Sequence, residues 1–106
     1  MAHKLDYLPL ALADILEAEA YLYGYSPAAA DKFANEIHRL ADTLAKHPLM
    51  YQAYVDDGYF RGMPLPYGYR LFYHVDEESA TVKIHRVLRG MRDIKNTWLE
   101  DLWPTE

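Results

Sequence analysis

Tyr69-Arg70-Leu71-Phe72-Tyr73-His74-Val75, then Asp76–Ala80, then Thr81-Val82-Lys83-Ile84-His85-Arg86-Val87-Leu88: this stretch decides the fold. Both runs are rich in β-branched and aromatic residues and alternate in polarity, so each reads as a strand. Asp76, Glu77 and Glu78 between them read as one solvated turn, which makes the pair an antiparallel hairpin. With Val75 opposite Val82, Tyr73 faces Ile84, and Tyr69, Leu71, Tyr73, Val75, Val82 and Ile84 share one apolar face. The opposite face then carries Arg70, Phe72, His74, Lys83, His85 and Val87. A slip of one residue would mix the two sets. Arg86 falls on the apolar side, which points to a bulge or to the frayed end of the sheet.

An apolar sheet face needs a cover, and the N-terminal half supplies it. Residues 3–8 roughly alternate and read as a short first strand. Pro9 suits the first turn of a helix, and Leu12, Ile15, Leu16 and Leu22 follow near helical spacing as far as about Tyr23, with Gly24 as the stop. Ser26-Pro27 opens a second helix as N-cap and first helical residue. Phe33, Ile37, Leu40 and Leu44 form its apolar stripe, and Pro48 ends it near His47. Helices joined by so short a link form an antiparallel pair. Residues 48–58 show no period and read as a loop. Tyr59–Leu65 is a short edge strand, interrupted by Gly62 and Pro64. After Gly90, Ile94, Trp98 and Leu102 sit four apart, a short C-terminal helix over 93–103. The expectation is one α+β domain, residues 1–106, whose helices 9–24 and 26–47 cover one face of a mostly antiparallel sheet.

Composition bounds what such a domain can do. A chain of 106 residues, 51% apolar and 25% charged, is long enough for one core. With no cysteine there is no disulfide scaffold, no thiolate metal site and no thiol nucleophile. No apolar run is long enough for a bilayer, and the N-terminus lacks a signal-peptide core, so the expected compartment is the cytosol. The net charge of −5 is unevenly spread: residues 61–95 hold seven basic residues against four acidic ones. Arg61, Arg89 and Arg92 could rim the hairpin face that already bears Arg70, Lys83 and two imidazoles around Phe72. A face without carboxylates favours an anionic partner. Phosphate loops, HExxH and Gly-x-Ser-x-Gly are all missing. His74 and His85 meet diagonally but have no acidic partner beside them, so neither a metal nor a cofactor is expected. His38 and His47 read as unrelated surface residues.

In this order the pieces resemble the RelE/ParE superfamily of bacterial type II toxin–antitoxin toxins. The resemblance rests on Arg61-Gly-Met-Pro64, on Gly68-Tyr-Arg-Leu-Phe-Tyr-His-Val75 and on Arg86-Val-Leu-Arg-Gly-Met-Arg-Asp93, with the opening from Leu8 to Leu16. The second is similar to the family's Gly-Tyr-Arg-Leu-x-Tyr strand. The third is similar to the Arg-(Val/Ile)-Leu-His-Gly-x-x-Asp ending of ParE-like, plasmid-stabilisation members. The resemblance implies one of two activities. RelE-like members bind the ribosomal A site and cleave mRNA; ParE-like members poison DNA gyrase and lack the nuclease residues. In both, an antitoxin wraps and neutralises the toxin.

For a RelE-like nuclease the resemblance places Arg61 and Arg70 at the scissile phosphate, His74 or His85 at proton transfer and Phe72 at base stacking, with Arg92 and with Trp98 where that branch has a tyrosine. Cleavage at a 2′-hydroxyl needs a proton acceptor, a proton donor and cations on the charged intermediate. That branch places lysines on the second strand; here no lysine occurs between Lys46 and Lys83, and arginine is a poor proton carrier. The expectation is therefore a ParE-like gyrase poison, with an mRNA interferase as the alternative and an inactive relative as a third reading. Under it, Arg89 to Trp103 carries the target contact, through Arg89, Arg92 and Trp98. An acidic amphipathic antitoxin segment covers the basic face at Arg70, Lys83 and Arg89.

Overall fold

The computed structural model describes residues 2–50 and 60–89. Its elements are β1 (Lys4–Tyr7), α1 (Pro9–Tyr25), α2 (Pro27–Lys46), β2 (Arg61–Pro64), a short 3-10 turn (Pro66–Gly68), β3 (Tyr69–Asp76) and β4 (Thr81–Arg89). The four strands form one sheet in the order β1-β4-β3-β2; β1 runs parallel to β4, and the other two pairings are antiparallel. This is the expected α+β architecture, a helical hairpin on one face of a mostly antiparallel sheet. The loop expected over 48–58 and the helix expected over 93–103 lie largely or wholly outside the described residues. No described helix is long and apolar enough to cross a membrane.

Ser26 joins the two helices without a linker. It is extended (φ −167°, ψ 126°), as the residue before a proline tends to be, and its N–H donates to the Leu22 carbonyl while its Oγ accepts from the Ala29 N–H. The stop of α1 is thus Ser26, set by Pro27. Gly24, expected to end the helix, lies inside it.

α2 buries Phe33, Ile37 and Leu44 with Ala30 and Ala41, while Leu40 sits half-buried at the side. α1 departs from expectation. It buries Ala11, Ala18 and Leu22 and leaves Leu12 and Leu16 in solvent. Small side chains let the α1 backbone come close to its neighbours, so the alanine edge turns inward.

The hairpin register is as read, with Val75 opposite Val82 and Tyr73 opposite Ile84. A bulge then intervenes: Phe72 pairs with Arg86, so His85 is the extra residue. The shift returns Val87 to the core opposite Leu71, and not to the other face as strict alternation predicts. Phe33, Leu44, Met63, Leu71, Tyr73, Val82 and Ile84 form the centre of the core. The Tyr73 hydroxyl, deep inside, donates to the Pro48 carbonyl at 3.1 Å and ties β3 to the end of α2.

Candidate functional site

The face of the sheet turned away from the helices begins with three β3 residues, Arg70, Phe72 and His74. Across the bulge β4 adds His85, and Lys83 follows on the same side. Phe72 is fully buried, as is Phe60 just ahead of β2. The His85 ring stands edge-on to Phe60 at 5.1 Å and lies 6.0 Å from the His74 ring. The middle of this face is therefore an aromatic–imidazole cluster, and the solvated cationic strip expected from alternation is confined to its ends. Alternation shows which residues share a face, not whether that face is covered.

Burial sets the charge of the cluster. It lowers the pKa of both imidazoles, and for His85, helped by nearby His74 and Lys83, to about 4. Both rings are neutral at pH 7. The unfolded chain then binds more protons than the folded one between about pH 6.5 and pH 4, so stability falls as pH drops through that window. His85 is partly exposed, and its share is discounted to roughly 1–2 kcal/mol. Urea midpoints at pH 7 and pH 4.5 should show a smaller acid loss in His85→Gln than in wild type. Equal losses would remove His85 as the cause.

The cations sit at the ends of this face or beyond it. Lys83 reaches Asp76 at 3.7 Å. Arg89 extends toward α1, donating from Nη1 to the Tyr21 hydroxyl at 2.8 Å with its guanidinium 4.9 Å from that ring. It faces a cavity of about 300 Å³ shared with Tyr69, Asp14 and Arg86, on the helix side of the sheet. Arg61 pairs with Tyr73, and Met63 two residues on lies in the core, so the register starts Arg61 on the face opposite Arg70. Arg92 and Trp98 lie outside the described residues.

Arg70 differs from these. Its guanidinium makes no hydrogen bond or ion pair among the described residues. Its stem lies across Gly62: a Cβ there would stand 3.0 Å from the Arg70 Cδ and 3.5 Å from Nη1. The missing side chain gives the arginine a bed on β2, from which the fork can meet a carboxylate or phosphate.

Arg86, without an expected role, has one in the structure. Its Nε and Nη2 donate to the two Asp14 carboxylate oxygens at 2.7 and 3.0 Å, and Asp14 Oδ2 also accepts the Val87 N–H at 3.0 Å. The only sequence signals were a lone acid in the alanine- and leucine-rich start of α1 and a lone arginine at an apolar register position. Among the described residues, no three His, Cys, Asp or Glu side chains could hold a metal ion. Among the described residues the site offers the part-exposed Arg70 and two neutral, part-buried imidazoles. That set fits anion or partner binding better than acid–base chemistry.

Residues 5–94 match the family described as the ParE toxin of the type II toxin–antitoxin system parDE. No curated protein sequence matches the chain. Among solved structures, the isolated RelE toxin of E. coli resembles it with a TM-score of 0.64 at 16% identity, covering 95% of this chain and 98% of that one. The intact E. coli RelBE toxin–antitoxin complex gives 0.62 at 19% identity, over 86% of this chain and 100% of its counterpart. The RelBE2 toxin–antitoxin complex of Mycobacterium tuberculosis gives 0.57 at 22%, over 85% and 100%. Those likenesses describe the fold, and the sequence match, spanning most of the chain, places this protein in the ParE toxin family of type II toxin–antitoxin systems.

Proposed function

We propose that this type II toxin acts by contact with DNA gyrase and not by cutting RNA, and that a cognate antitoxin neutralises it. One observation carries the reading. Among the described residues, those a nuclease would need do not form a working set on one open face. Phe72 is fully buried and cannot stack on a base as it stands, and His74 and His85 are withdrawn into an aromatic cluster. Arg61 begins on the opposite face from Arg70. Hydrolysis needs an acid and a base at one phosphate, whereas a binding toxin needs only a complementary surface. The family match supports the same side of the choice. The antitoxin as partner is supported by the toxin–antitoxin complexes among the structural relatives.

The test separates the two chemistries. In a translation extract lacking gyrase, the purified chain should leave ribosome-bound mRNA intact. With purified gyrase and supercoiled plasmid it should stabilise double-strand breaks, and Arg70→Glu should weaken that effect. Cutting of mRNA in the extract, lost on Arg70→Ala or His85→Ala, would establish the interferase reading instead.

A further inference from the structure

Tyr21, Tyr23 and Tyr25 crowd the end of α1, with 42%, 63% and 76% of their surfaces exposed. Tyr21, the most covered, is held by two neighbours. Its hydroxyl oxygen accepts from Arg89 Nη1 at 2.8 Å and lies 3.2 Å from the Tyr25 hydroxyl. Helical spacing of four brings the Tyr21 and Tyr25 rings together edge-on, 5.3 Å apart. The Arg89 guanidinium stands 4.9 Å from the Tyr21 ring, so its charge also lies over the π system. Tyr23 lines a hollow on the α2 side of the helix and has no hydrogen-bond partner among the described residues.

This arrangement favours the phenolate. A hydrogen bond received by an oxygen stabilises its charged form, and a guanidinium donor adds a full charge. Tyr25 can donate to the same oxygen once the Tyr21 proton has left. The Tyr25 hydrogen bond first, and then that of Arg89, hold the Tyr21 hydroxyl below the usual phenol range, while Tyr25 is pushed above it. Around the pair, Glu17 comes from the same helix, Tyr69 from β3 and Arg86 from β4, the last already bonded to Asp14; they line the cavity of about 300 Å³ beside Arg89. Among the described residues, Arg89 Nε and Nη2 make no hydrogen bond or ion pair, so the guanidinium still offers one edge to a tetrahedral anion. Attack at phosphorus needs both parts: an activated phenol oxygen, and a cation that holds the phosphoryl oxygens as charge builds on them.

We propose that Tyr21 is a phosphorylation site and that Arg89 captures the phosphate once it is attached. In the transfer, Tyr21 Oη attacks the γ-phosphorus of a nucleoside triphosphate held by a tyrosine kinase. The bond from that phosphorus to the β–γ bridging oxygen breaks, and the nucleoside diphosphate leaves with the electron pair. The phenolic proton passes to the base of the kinase. The product sets about two negative charges beside the guanidinium. Arg89 begins the segment expected to carry the target contact, so the modification withdraws that cation and weakens the toxin. This last step rests on the gyrase reading; the site itself does not.

Reactivity is measured first, on the purified full chain, with a fluorophosphonate probe that a phenol attacks at phosphorus with loss of fluoride. Mapped by mass spectrometry, Tyr21 should be labelled roughly tenfold faster than the more exposed Tyr23, and Arg89→Gln should bring it down to the Tyr23 rate. With ATP and a purified bacterial tyrosine kinase, phosphate should likewise enter at Tyr21 ahead of Tyr23. Labelling or phosphorylation that follows exposure, or labelling indifferent to Arg89→Gln, overturns the site. Phosphotyrosine placed at position 21 or at position 23 by an expanded genetic code then tests the capture. By phosphorus NMR the phosphate at 21 should lose its second proton at a lower pH than the one at 23, and Arg89→Gln should erase the difference. Equal titration overturns the capture. With purified gyrase, the chain phosphorylated at 21 should stabilise breaks about tenfold more weakly than the chain phosphorylated at 23. Equal potency overturns the regulatory step. If the unmodified chain stabilises no breaks, the gyrase reading fails and the regulatory step with it, while labelling and titration still decide the site.

Discussion

Asp14→Ala is expected to destabilise the protein by roughly 3–5 kcal/mol, because it strips a bidentate carboxylate from a mostly buried guanidinium. The Arg86 and Asp14 side chains are only 19% and 12% exposed, and their two hydrogen bonds are 2.7 and 3.0 Å long. The same carboxylate also accepts the Val87 N–H next to the bulge. Its loss therefore takes an acceptor away from two kinds of donor where water enters poorly. Against a total stability of about 5–15 kcal/mol for a small domain, the loss is large. Asp14→Ala/Arg86→Met should recover most of it, since an apolar pair of similar bulk leaves no charge stranded. Urea denaturation of both variants, with m-values compared, measures this. A single-variant loss below about 1 kcal/mol would mean that solvent reaches the guanidinium after all.

Phe33→Ala is expected to cost roughly 3–5 kcal/mol, the range for deleting a fully enclosed aromatic ring. Phe33 has no exposed surface and meets the Tyr69 ring edge-on at 4.9 Å, where α2 crosses the start of β3. The void would open between two layers that cannot both move inward. Leu40→Ala on the same helix should cost only about 1 kcal/mol, because Leu40 is half-buried and its removed carbons were already partly in water. Equal losses at the two positions would mean that α2 sits at a different rotation on the sheet.

Much of this architecture is written in local patterns. Alternation along 69–75 and 81–84 set the hairpin register, because period-two burial allows only one pairing that keeps the apolar set together. Ser26-Pro27 marked the helix junction by capping chemistry. The misfit of Arg86 flagged the bulge, though it did not say that Val87 would change sides as a result. The rotation of α1 was not legible. That helix is apolar on most sides, and the leucines outweigh the alanines in any reading by hydrophobicity, yet close approach of backbones favours the smaller residues. For the site, the sequence brought Arg70, Phe72, His74, Lys83 and His85 to one face, and the register agrees. It could not show that Phe60 and Phe72 are buried there, nor that Asp14 would meet Arg86 across 72 residues. Pairings over such separations leave no periodic trace. The slot at Gly62 is equally silent, since a glycine in an edge strand has several ordinary explanations.

The parallel pairing of β1 with β4 has a consequence for how the toxin comes into being. Lys4 lies opposite Thr81 and Tyr7 opposite Ile84, so the first strand made is completed by nearly the last of the described chain. The helical hairpin, built from neighbours in sequence, can form early during synthesis. The sheet cannot, because β1 must wait for β4, and closing so long a loop is slow compared with local pairing. A nascent chain therefore carries its helices before it has a finished sheet. Whatever surface the sheet presents arises only after translation has passed β4, the last strand among the described residues.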